Sequence, residues 1–206
     1  MIVIVDYGMG NLRSVEKAVA SVGAVSMISS DPDTIVKADR LILTGVGAFG
    51  DGMTNIRAYG IEDAIQRFFG TGRPALGICL GMQMLFEDDE ENPGVQGLGL
   101  IKGSVKKFDT ATLGARGLKI PHIGWNTVTQ EKRSFMFDGI ADGSYFYFVH
   151  SYYPAPIEDV GAGSTEYGAR FASVVQKDNV VATQFHPEKS QANGLRLLSN
   201  FINHRG

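Results

Sequence analysis

The chain has 206 residues, of which 44% are hydrophobic and 20% charged, a balance typical of a globular protein with a sizeable core. The net charge of −3, without any basic block, argues against nucleic acid as a partner. No apolar run approaches the ~18 residues of a membrane span. We therefore expect neither nucleic acid nor a membrane as a partner.

Length and cysteine content suggest a simple organisation. We expect one domain over residues 1–206, because no linker, repeat or low-complexity tract interrupts the chain. The single cysteine cannot form an internal disulfide, and no signal peptide is recognisable before IVIVDYG. We therefore predict a cytoplasmic protein, and no metal or other cofactor is predicted.

The first half alternates between strand and helix patterns. Short β-branched or apolar runs predict strands, periodic segments ending at glycine predict helices, and GVGAFGDG (45–52) predicts a glycine-rich loop. Such alternation favours an α/β fold with a central, mostly parallel sheet flanked by helices. The predicted strands are 2–5, 24–29, 40–45 and 75–79, and the predicted helices are 12–23, 61–72 and 80–87.

The second half is richer in strand patterns. KDN (177–179) predicts a hairpin turn, and a final helix is predicted over 191–204 despite the internal Gly194. We expect these strands to add antiparallel members to the sheet or to cover it. They are predicted at 104–108, 125–129, 144–153, 173–176 and 179–185.

The only cysteine, Cys79, lies in the sequence GICLG, between a predicted strand and a predicted helix. This is the context of a nucleophile elbow, in which a tight turn holds the nucleophile and glycines allow close approach of the neighbouring chain. Helix amides following the turn would favour the thiolate and could bind an oxyanion. A small buried core cysteine is the structural alternative.

A cysteine nucleophile needs an oriented base, and four histidines are available. His186 is favoured because it lies at a strand end in FHPEKS, where an extended backbone would direct Glu188 toward the imidazole. His122 and His150 lie among aromatic residues and are interpreted as structural or site-lining. His204 is predicted at the surface of the last helical turn.

G-x-C-x-G followed far downstream by H-P-E resembles the class I, triad-type glutamine amidotransferases, and the resemblance covers the whole chain. VDYGMGNLRSV, LILTGVGAFGDGM, PHIGWN and YFVHSYY narrow it to the glutaminase subunits of imidazole glycerol phosphate synthases. The resemblance implies a flavodoxin-like fold and hydrolysis of L-glutamine through a glutamyl thioester, with Cys79 as nucleophile, His186 as proton shuttle and Glu188 as its orienting partner.

The same resemblance implies roles for residues around this triad. The oxyanion would be bound by the amide of Leu80 and by a backbone amide of the loop Gly45, Val46 and Gly47 after a peptide reorientation. A phosphate-binding loop is a weaker interpretation of these glycines because no GK[ST] sequence follows. Substrate glutamine would be recognised by Gln83, Glu91, His150, Ser151 and Tyr152. A solvated acidic loop remains the alternative for residues 87–92.

No synthase segment is recognisable in the chain, and free ammonia in neutral water becomes protonated and loses its nucleophilicity. The resemblance therefore implies a heterodimer with a (β/α)₈ barrel cyclase subunit, HisF, which converts the ribulosyl intermediate PRFAR to imidazole glycerol phosphate and AICAR. The implied partner-facing residues are Trp125, Asn126, Tyr147 and Lys189. Burial of the two aromatic residues in the core is an equally open interpretation.

One position departs from the family pattern: Thr44 stands where these proteins usually have proline before G-V-G. A freer backbone at this point would leave the following loop less constrained. Two further functional hypotheses remain: a glutaminase or thiol hydrolase of another kind, which would turn over without this partner, and a regulatory module without catalysis, which the intact triad disfavours.

Overall fold

The structure is a computed structural model and describes residues 1–204. Its strands are β1 (Ile2–Val5), β2 (Ser26–Ser29), β3 (Arg40–Gly45), β4 (Ala75–Cys79), β5 (Asp88–Asp89), β6 (Gly103–Lys107), β7 (His122–Gln130), β8 (Ser144–His150), β9 (Tyr152–Pro156), β10 (Gly161–Tyr167), β11 (Ala169–Lys177) and β12 (Val180–Thr183). Its helices are α1 (Leu12–Ser21), α2 (Pro32–Lys37), α3 (Phe49–Ala58), α4 (Glu62–Phe69), α5 (Leu80–Gln83), α6 (Thr110–Ala115) and α7 (Gln191–Asn203).

Nine strands form one sheet in the order β2-β1-β3-β4-β12-β11-β10-β7-β8. The pairs from β2 to β12 are parallel, and those from β12 to β8 are antiparallel. The predicted α/β class is confirmed, and the strands of the second half extend the parallel part as antiparallel members of a mixed sheet. A smaller sheet contains β5, β6 and β9.

Helices cover both faces of the parallel part of the sheet. Alternate residues of β1 illustrate the division: Val3 and Val5 belong to a core shared with α2, α3 and α4, whereas Ile2 and Ile4 pack in the core that contains residues of α1 and α7. Since successive side chains of a strand point to opposite faces, a strand buried on both sides is apolar throughout, as the IVIV sequence predicts.

Several predicted boundaries are corrected by the structure. The sequence 144–153, predicted as one strand, separates into β8 and β9, which lie in different sheets. The hairpin turn at 177–179 is confirmed, with Asp178 at a φ of 49° between β11 and β12. The helix predicted over 80–87 ends at Gln83, because the carbonyls of the residues that follow accept hydrogen bonds from the 98–101 segment instead of continuing the helix.

Three helices and two strands were not predicted. The strands are β5 and β10, and the helices are α2, α3 and α6. Helix α3 begins inside the predicted glycine loop 45–52, where Glu91 and Asn92 accept hydrogen bonds from the amides of Phe49 and Gly50. These side chains supply acceptors for helix-terminal amides that otherwise lack an intrahelical partner, so a distant segment stabilises the start of the helix.

Candidate active site

Cys79 ends β4 and immediately precedes α5, so the predicted strand–turn–helix context is confirmed. Its φ of 53° and ψ of −109° are unusual for a residue with a side chain. Backbone strain of this kind persists where surrounding packing enforces it, and it is common at functional sites. The turn therefore holds the thiol in a fixed position at the carboxyl end of a buried strand.

The glycines around Cys79 permit this turn by allowing close backbone contacts. A Cβ at Gly81 would lie 1.9 Å from the carbonyl oxygen of Leu43, and one at Gly77 would lie 2.9 Å from the Cβ of Ala182. Real Cβ atoms do not approach so closely, so both positions require glycine. The GxCxG spacing thus reflects the neighbouring strands β3 and β12 on either side of the turn.

His186 lies just beyond β12, the strand adjacent to β4 in the sheet. Its Nδ1 atom donates to Glu188 Oε1 at 2.8 Å, and both side chains are 2% exposed. Residues 187–189 form a 3-10 turn, so the predicted extended geometry between the two side chains is wrong, although their contact is present. The turn places the Glu188 carboxylate within hydrogen-bond distance of the His186 imidazole.

The second nitrogen of His186, Nε2, is buried and has no hydrogen-bond partner among residues 1–204. Burial alone would lower the pKa of His186, but the charge of nearby Cys79 and contact with it, together with Glu188, raise the pKa to about 10. An opposite charge favours the protonated imidazole. The arrangement therefore supports a protonated imidazole beside the Cys79 sulfur.

The H-P-E turn is held by two other elements. The His186 amide donates to the Tyr147 carbonyl of β8 at 2.9 Å, and the Ser190 hydroxyl donates to the His186 carbonyl at 2.7 Å. Gly194 of α7 lies against this turn, since a Cβ there would lie 1.9 Å from the Pro187 carbonyl oxygen. The glycine inside the final helix therefore allows α7 to pack closely against the turn.

A cavity of about 270 Å³ opens beside Cys79. Most of the residues predicted for the oxyanion site and for substrate recognition line it, and two unpredicted residues, Pro121 and Val149, do so as well. Gly45 lies behind the cavity wall in β3, next to Cys79 in the strand register. The predicted lining residues are Val46, Gly47, Leu80, Gln83, Glu91, His150, Ser151 and Tyr152.

The buried hydroxyl of Tyr7 lies under the predicted oxyanion loop. A Cβ at Gly45 would lie 1.8 Å from this oxygen, which has no hydrogen-bond partner among residues 1–204. Burial, and secondarily the charge of Cys79, raise the pKa of Tyr7 above its ordinary value. Sequence reasoning used Tyr7 only as part of a family motif, and no local pattern signals its position.

His122 and His150 form a buried pair, with Nδ1 of His122 2.9 Å from Nε2 of His150. Burial lowers the pKa of His122 to about 4. For His150, burial again dominates, opposed by its hydrogen bond to Tyr152 and reinforced by His122 and His186, and the pKa falls to about 3. Both rings are therefore neutral at pH 7, and His150 also lines the cavity.

The predicted partner-facing residues lie around the β7–β8 hairpin and the H-P-E turn. Trp125 and Tyr147 are register partners whose rings meet edge to face at 6.1 Å. Trp125 is 45% exposed and Tyr147 is half-buried, so Trp125 does not belong to the core. Ile123 and Tyr145 add exposed apolar area on the same face of this hairpin.

The remaining two residues of that group differ in their surroundings. Lys189 is exposed at the end of the 3-10 turn. Asn126 is half-buried, and its amide donates to the Glu166 carbonyl and lies 3.3 Å from Nε2 of His122. His204, predicted at the surface, is half-buried and stacks on Phe135 with ring centroids 3.7 Å apart.

Residues 1–204 offer neither a candidate membrane-spanning helix nor a candidate metal cluster. The helices there include none that is both long and apolar enough to cross a membrane. In the same residues, no group of three or more histidine, cysteine or acidic side chains is arranged to hold a metal ion.

A strained cysteine at a strand end, beside a buried histidine–carboxylate pair, is the arrangement of enzymes with a cysteine nucleophile. The family model described as Glutamine amidotransferase class-I matches residues 3–204. The chain therefore belongs to the class I glutamine amidotransferase family.

Similarity to curated relatives extends over nearly the whole chain. The chain is 50% identical over 206 residues to "Imidazole glycerol phosphate synthase subunit HisH 1" of Methanococcus maripaludis, with 98% of both chains covered. It is 50% identical over 206 residues to the HisH subunit of Thermococcus kodakarensis, again with 98% of both covered. The Aquifex aeolicus HisH subunit is 49% identical over 201 residues, covering 97% of this chain and 94% of that one.

Solved structures of more distant proteins share the fold. PurLQS from Thermotoga maritima superposes with a TM-score of 0.76 at 20% identity, covering 98% of this chain and 97% of that one. A structure described as a glutamine amidotransferase gives a TM-score of 0.75 at 18% identity, with the same coverage. At these identities the likeness concerns the fold alone.

Proposed function

We propose that this chain is the glutaminase subunit of an imidazole glycerol phosphate synthase and that residues 1–206 act as one glutamine amidotransferase domain. The observation that carries the proposal is the buried His186–Glu188 pair, whose free imidazole nitrogen lies near the only cysteine. Relatives that share half of its residues over nearly the full chain are named as this subunit.

The chemistry follows from the proposed roles. The thiolate of Cys79 attacks the side-chain amide carbon of glutamine, forming a carbon–sulfur bond and a tetrahedral oxyanion. Collapse breaks the carbon–nitrogen bond while the His186 imidazolium gives its proton to the departing ammonia. His186, now neutral, takes a proton from water as the water attacks the thioester, and glutamate leaves as the Cys79 thiolate and the imidazolium are restored. Glu188 keeps Nδ1 protonated throughout.

Backbone amides are the proposed oxyanion donors. The Leu80 amide is the first of α5 and has no intrahelical partner, and it follows the nucleophile directly. A second donor would come from the loop Gly45–Val46–Gly47, which lies beside Cys79 across β3 and β4. The φ of 113° at Gly47 suits glycine, which tolerates more than one backbone state.

The cavity fits recognition of the two charged groups of glutamine. We assign the α-ammonium to Glu91, an exposed carboxylate at the cavity whose Oε2 also accepts from the Phe49 amide at 3.3 Å. The α-carboxylate would bind the amides of Ser151 and Tyr152, which also line the cavity. Gln83 and His150 line the same cavity and would orient the substrate chain.

A cyclase subunit of (β/α)₈ type, HisF, is the proposed partner and ammonia acceptor. The exposed Trp125 and the adjacent Tyr147, Asn126 and Lys189 offer aromatic and polar groups of the kind enriched at interfaces. The Tyr147 backbone binds both the His186 amide and the Ser190 hydroxyl. Docking at this hairpin could therefore affect the catalytic histidine directly.

Glutamate release from glutamine, measured with and without the cyclase subunit and its ribulosyl substrate, tests the proposal. We expect a low basal rate and a large increase when both are present. Cys79→Ser should abolish glutamine-dependent product formation while leaving the partner's synthesis from added ammonia intact. If Cys79→Ser retained glutamine-dependent synthesis, the assigned nucleophile would be wrong, and full turnover without partner would favour an independent thiol hydrolase.

Docking of the cyclase subunit at the β7–β8 hairpin is tested separately. Trp125→Ala should weaken binding of the cyclase subunit at least tenfold, measured by titration calorimetry. Ile157→Ala removes a side chain that is equally apolar and 78% exposed in a different region, and should leave binding unchanged. Equal affinities for both variants would place the partner elsewhere.

A further inference from the structure

The orientation of two buried glutamine side chains near Cys79 is fixed by one backbone carbonyl. The side-chain nitrogen Nε2 of Gln83 lies 3.0 Å from the Tyr152 carbonyl oxygen and 3.0 Å from Oε1 of Gln184. A carbonyl can only accept, so the atom of Gln83 at this position must be its NH₂ group. Its other proton is then directed at Gln184, which must present its oxygen there.

This assignment leaves the Gln184 NH₂ group facing the sulfur of Cys79, at 3.7 Å. Gln184 is completely buried and Gln83 is 7% exposed. A buried amide without an acceptor costs free energy, because no water replaces the missing hydrogen bond. The sulfur is thus the acceptor that the surrounding structure offers to this amide.

A hydrogen-bond donor at this position stabilises one protonation state of the sulfur more than the other. A thiol accepts hydrogen bonds weakly, whereas hydrogen bonds to a charged acceptor are about twice as strong as neutral ones. The Val149 carbonyl lies 3.9 Å from the sulfur on another side and can only accept, which suits the neutral S–H. The Gln184 amide therefore favours the thiolate, and does so without a charge of its own.

The same Tyr152 carbonyl also determines which atoms donate and which accept in the residues farther from the sulfur. It lies 2.8 Å from Nδ1 of His150, which must donate, so Nε2 of His150 accepts from Nδ1 of His122 at 2.9 Å. His122 Nε2 then accepts from the Asn126 amide. The three hydrogen bonds that link Asn126, His122, His150 and the Tyr152 carbonyl therefore all run in one direction, from the partner-facing hairpin toward the cavity.

We propose that Gln184 is a further catalytic residue, whose amide donates a hydrogen bond to the Cys79 thiolate and is held in that orientation by Gln83 and the Tyr152 carbonyl. The inference rests on the proposed role of Cys79 as nucleophile. It adds a hydrogen-bond donor to the sulfur, separate from the charge of His186, and it gives Gln83 an orienting role in addition to its contact with the cavity.

Alkylation of Cys79 by iodoacetamide tests the inference, because the chain has one cysteine and intact-mass measurement reports it alone. Rates are measured across pH for the full chain without glutamine. In Gln184→Met, which keeps the length of the side chain but has no donor, the midpoint of the pH profile should rise by about one unit. Below both midpoints, alkylation should be about tenfold slower.

Gln83→Met provides an independent variant in which Gln184 is retained and no charge is added. Without the Gln83 NH₂ group, the Gln184 oxygen loses the donor that fixes the amide orientation, so this variant should also raise the midpoint. Gln66→Met is the control, since it makes the same substitution at an exposed glutamine of helix α4 whose amide donates to the Leu98 carbonyl, and should leave the midpoint unchanged.

An unchanged midpoint in a folded Gln184→Met protein would overturn the inference. If that variant does not fold, an unchanged midpoint in Gln83→Met would overturn the inference, because Gln83 is the group proposed to hold the amide. The readout needs neither glutamine nor partner, so a failed glutaminase assay would contradict the proposed function while leaving this result intact, and the reverse also holds.

Discussion

Gly45 and Cys79 are register partners at the carboxyl ends of the adjacent parallel strands β3 and β4. The proposed oxyanion loop therefore begins beside the nucleophile, although the two residues are far apart in the sequence. The Tyr7 hydroxyl fills the space where a side chain at position 45 would lie. This packing against Tyr7 restricts the position of Gly45, the first residue of the loop.

Gly45→Ala should destabilise the protein by about 1–3 kcal/mol, because the new methyl group would overlap the Tyr7 oxygen. Replacing that oxygen relieves the overlap, since the next ring atom of Tyr7 lies 3.1 Å from the added Cβ. The double variant Gly45→Ala/Tyr7→Phe should therefore recover most of the loss. Urea unfolding of all four proteins measures the coupling.

Gly81→Ala is the matched control for this cycle. Its added Cβ would lie 1.9 Å from the Leu43 carbonyl oxygen, which belongs to the backbone and cannot be removed by a side-chain change. Tyr7→Phe should give no recovery in this background. Equal recovery in both backgrounds would show that Tyr7→Phe is simply stabilising and that the overlap is not the cause.

Glu188→Gln should lower the pKa of His186, because the carboxylate at 2.8 Å favours the protonated imidazole. With the proton shuttle weakened, we expect glutaminase kcat to fall by about 100-fold or more, with a smaller change in KM. Steady-state glutamate release in the presence of the cyclase subunit measures both constants.

Glu166→Gln removes an exposed carboxylate that pairs with Arg116 and should leave both constants unchanged. A rise in KM with unaltered kcat in Glu188→Gln would assign Glu188 to substrate binding, contrary to its proposed role.

Acid should destabilise the protein through His122 and His150. Their pKa values in the folded state, about 4 and about 3, lie below the unfolded value of 6.5. The unfolded chain therefore binds more protons below pH 6.5, and the stabilisation present above 6.5 is lost as the pH falls toward 4. Each ring contributes up to about 1.4 kcal/mol per pH unit. Urea unfolding at pH 7 and pH 5, followed by fluorescence of the single tryptophan, measures the loss.

His122→Phe keeps an aromatic ring stacked on Phe148 and Tyr167 but removes one of the two titrating groups. The difference in stability between pH 7 and pH 5 should shrink by about half, even though the variant is less stable at both. An unchanged difference in His122→Phe would contradict the assignment.

Thr44→Pro should restrict the oxyanion loop, because proline fixes φ at position 44 and removes its amide donor. Thr44 lies within β3 opposite Ile78 of β4, one residue before the loop. We expect the glutaminase rate without partner to fall several-fold, with a smaller effect in the complex. Identical basal rates in the two proteins would show that the residue at position 44 does not control the loop.

Sequence reasoning recovered the strands that lead to the site and missed the helix beside it. Apolar runs located β1, β3 and β4 at their observed bounds, because a doubly buried strand requires such residues throughout. Helix α3 was missed, since its glycines indicate a loop locally. Gly50 and Gly52 instead allow close packing of α3 against Asn92 and Met84.

The sequence by itself determined the proposed catalytic groups, because each depends on local chemistry. A glycine-flanked cysteine between strand and helix, and a histidine two residues before glutamate, can be recognised within a few residues. The tertiary structure alone placed Tyr7 beneath Gly45, joined His122 to His150, and directed Gln184 at the Cys79 sulfur. These contacts join residues 28 to 105 positions apart. Only the strand order of the folded sheet brings them together, and no periodicity in the chain records it.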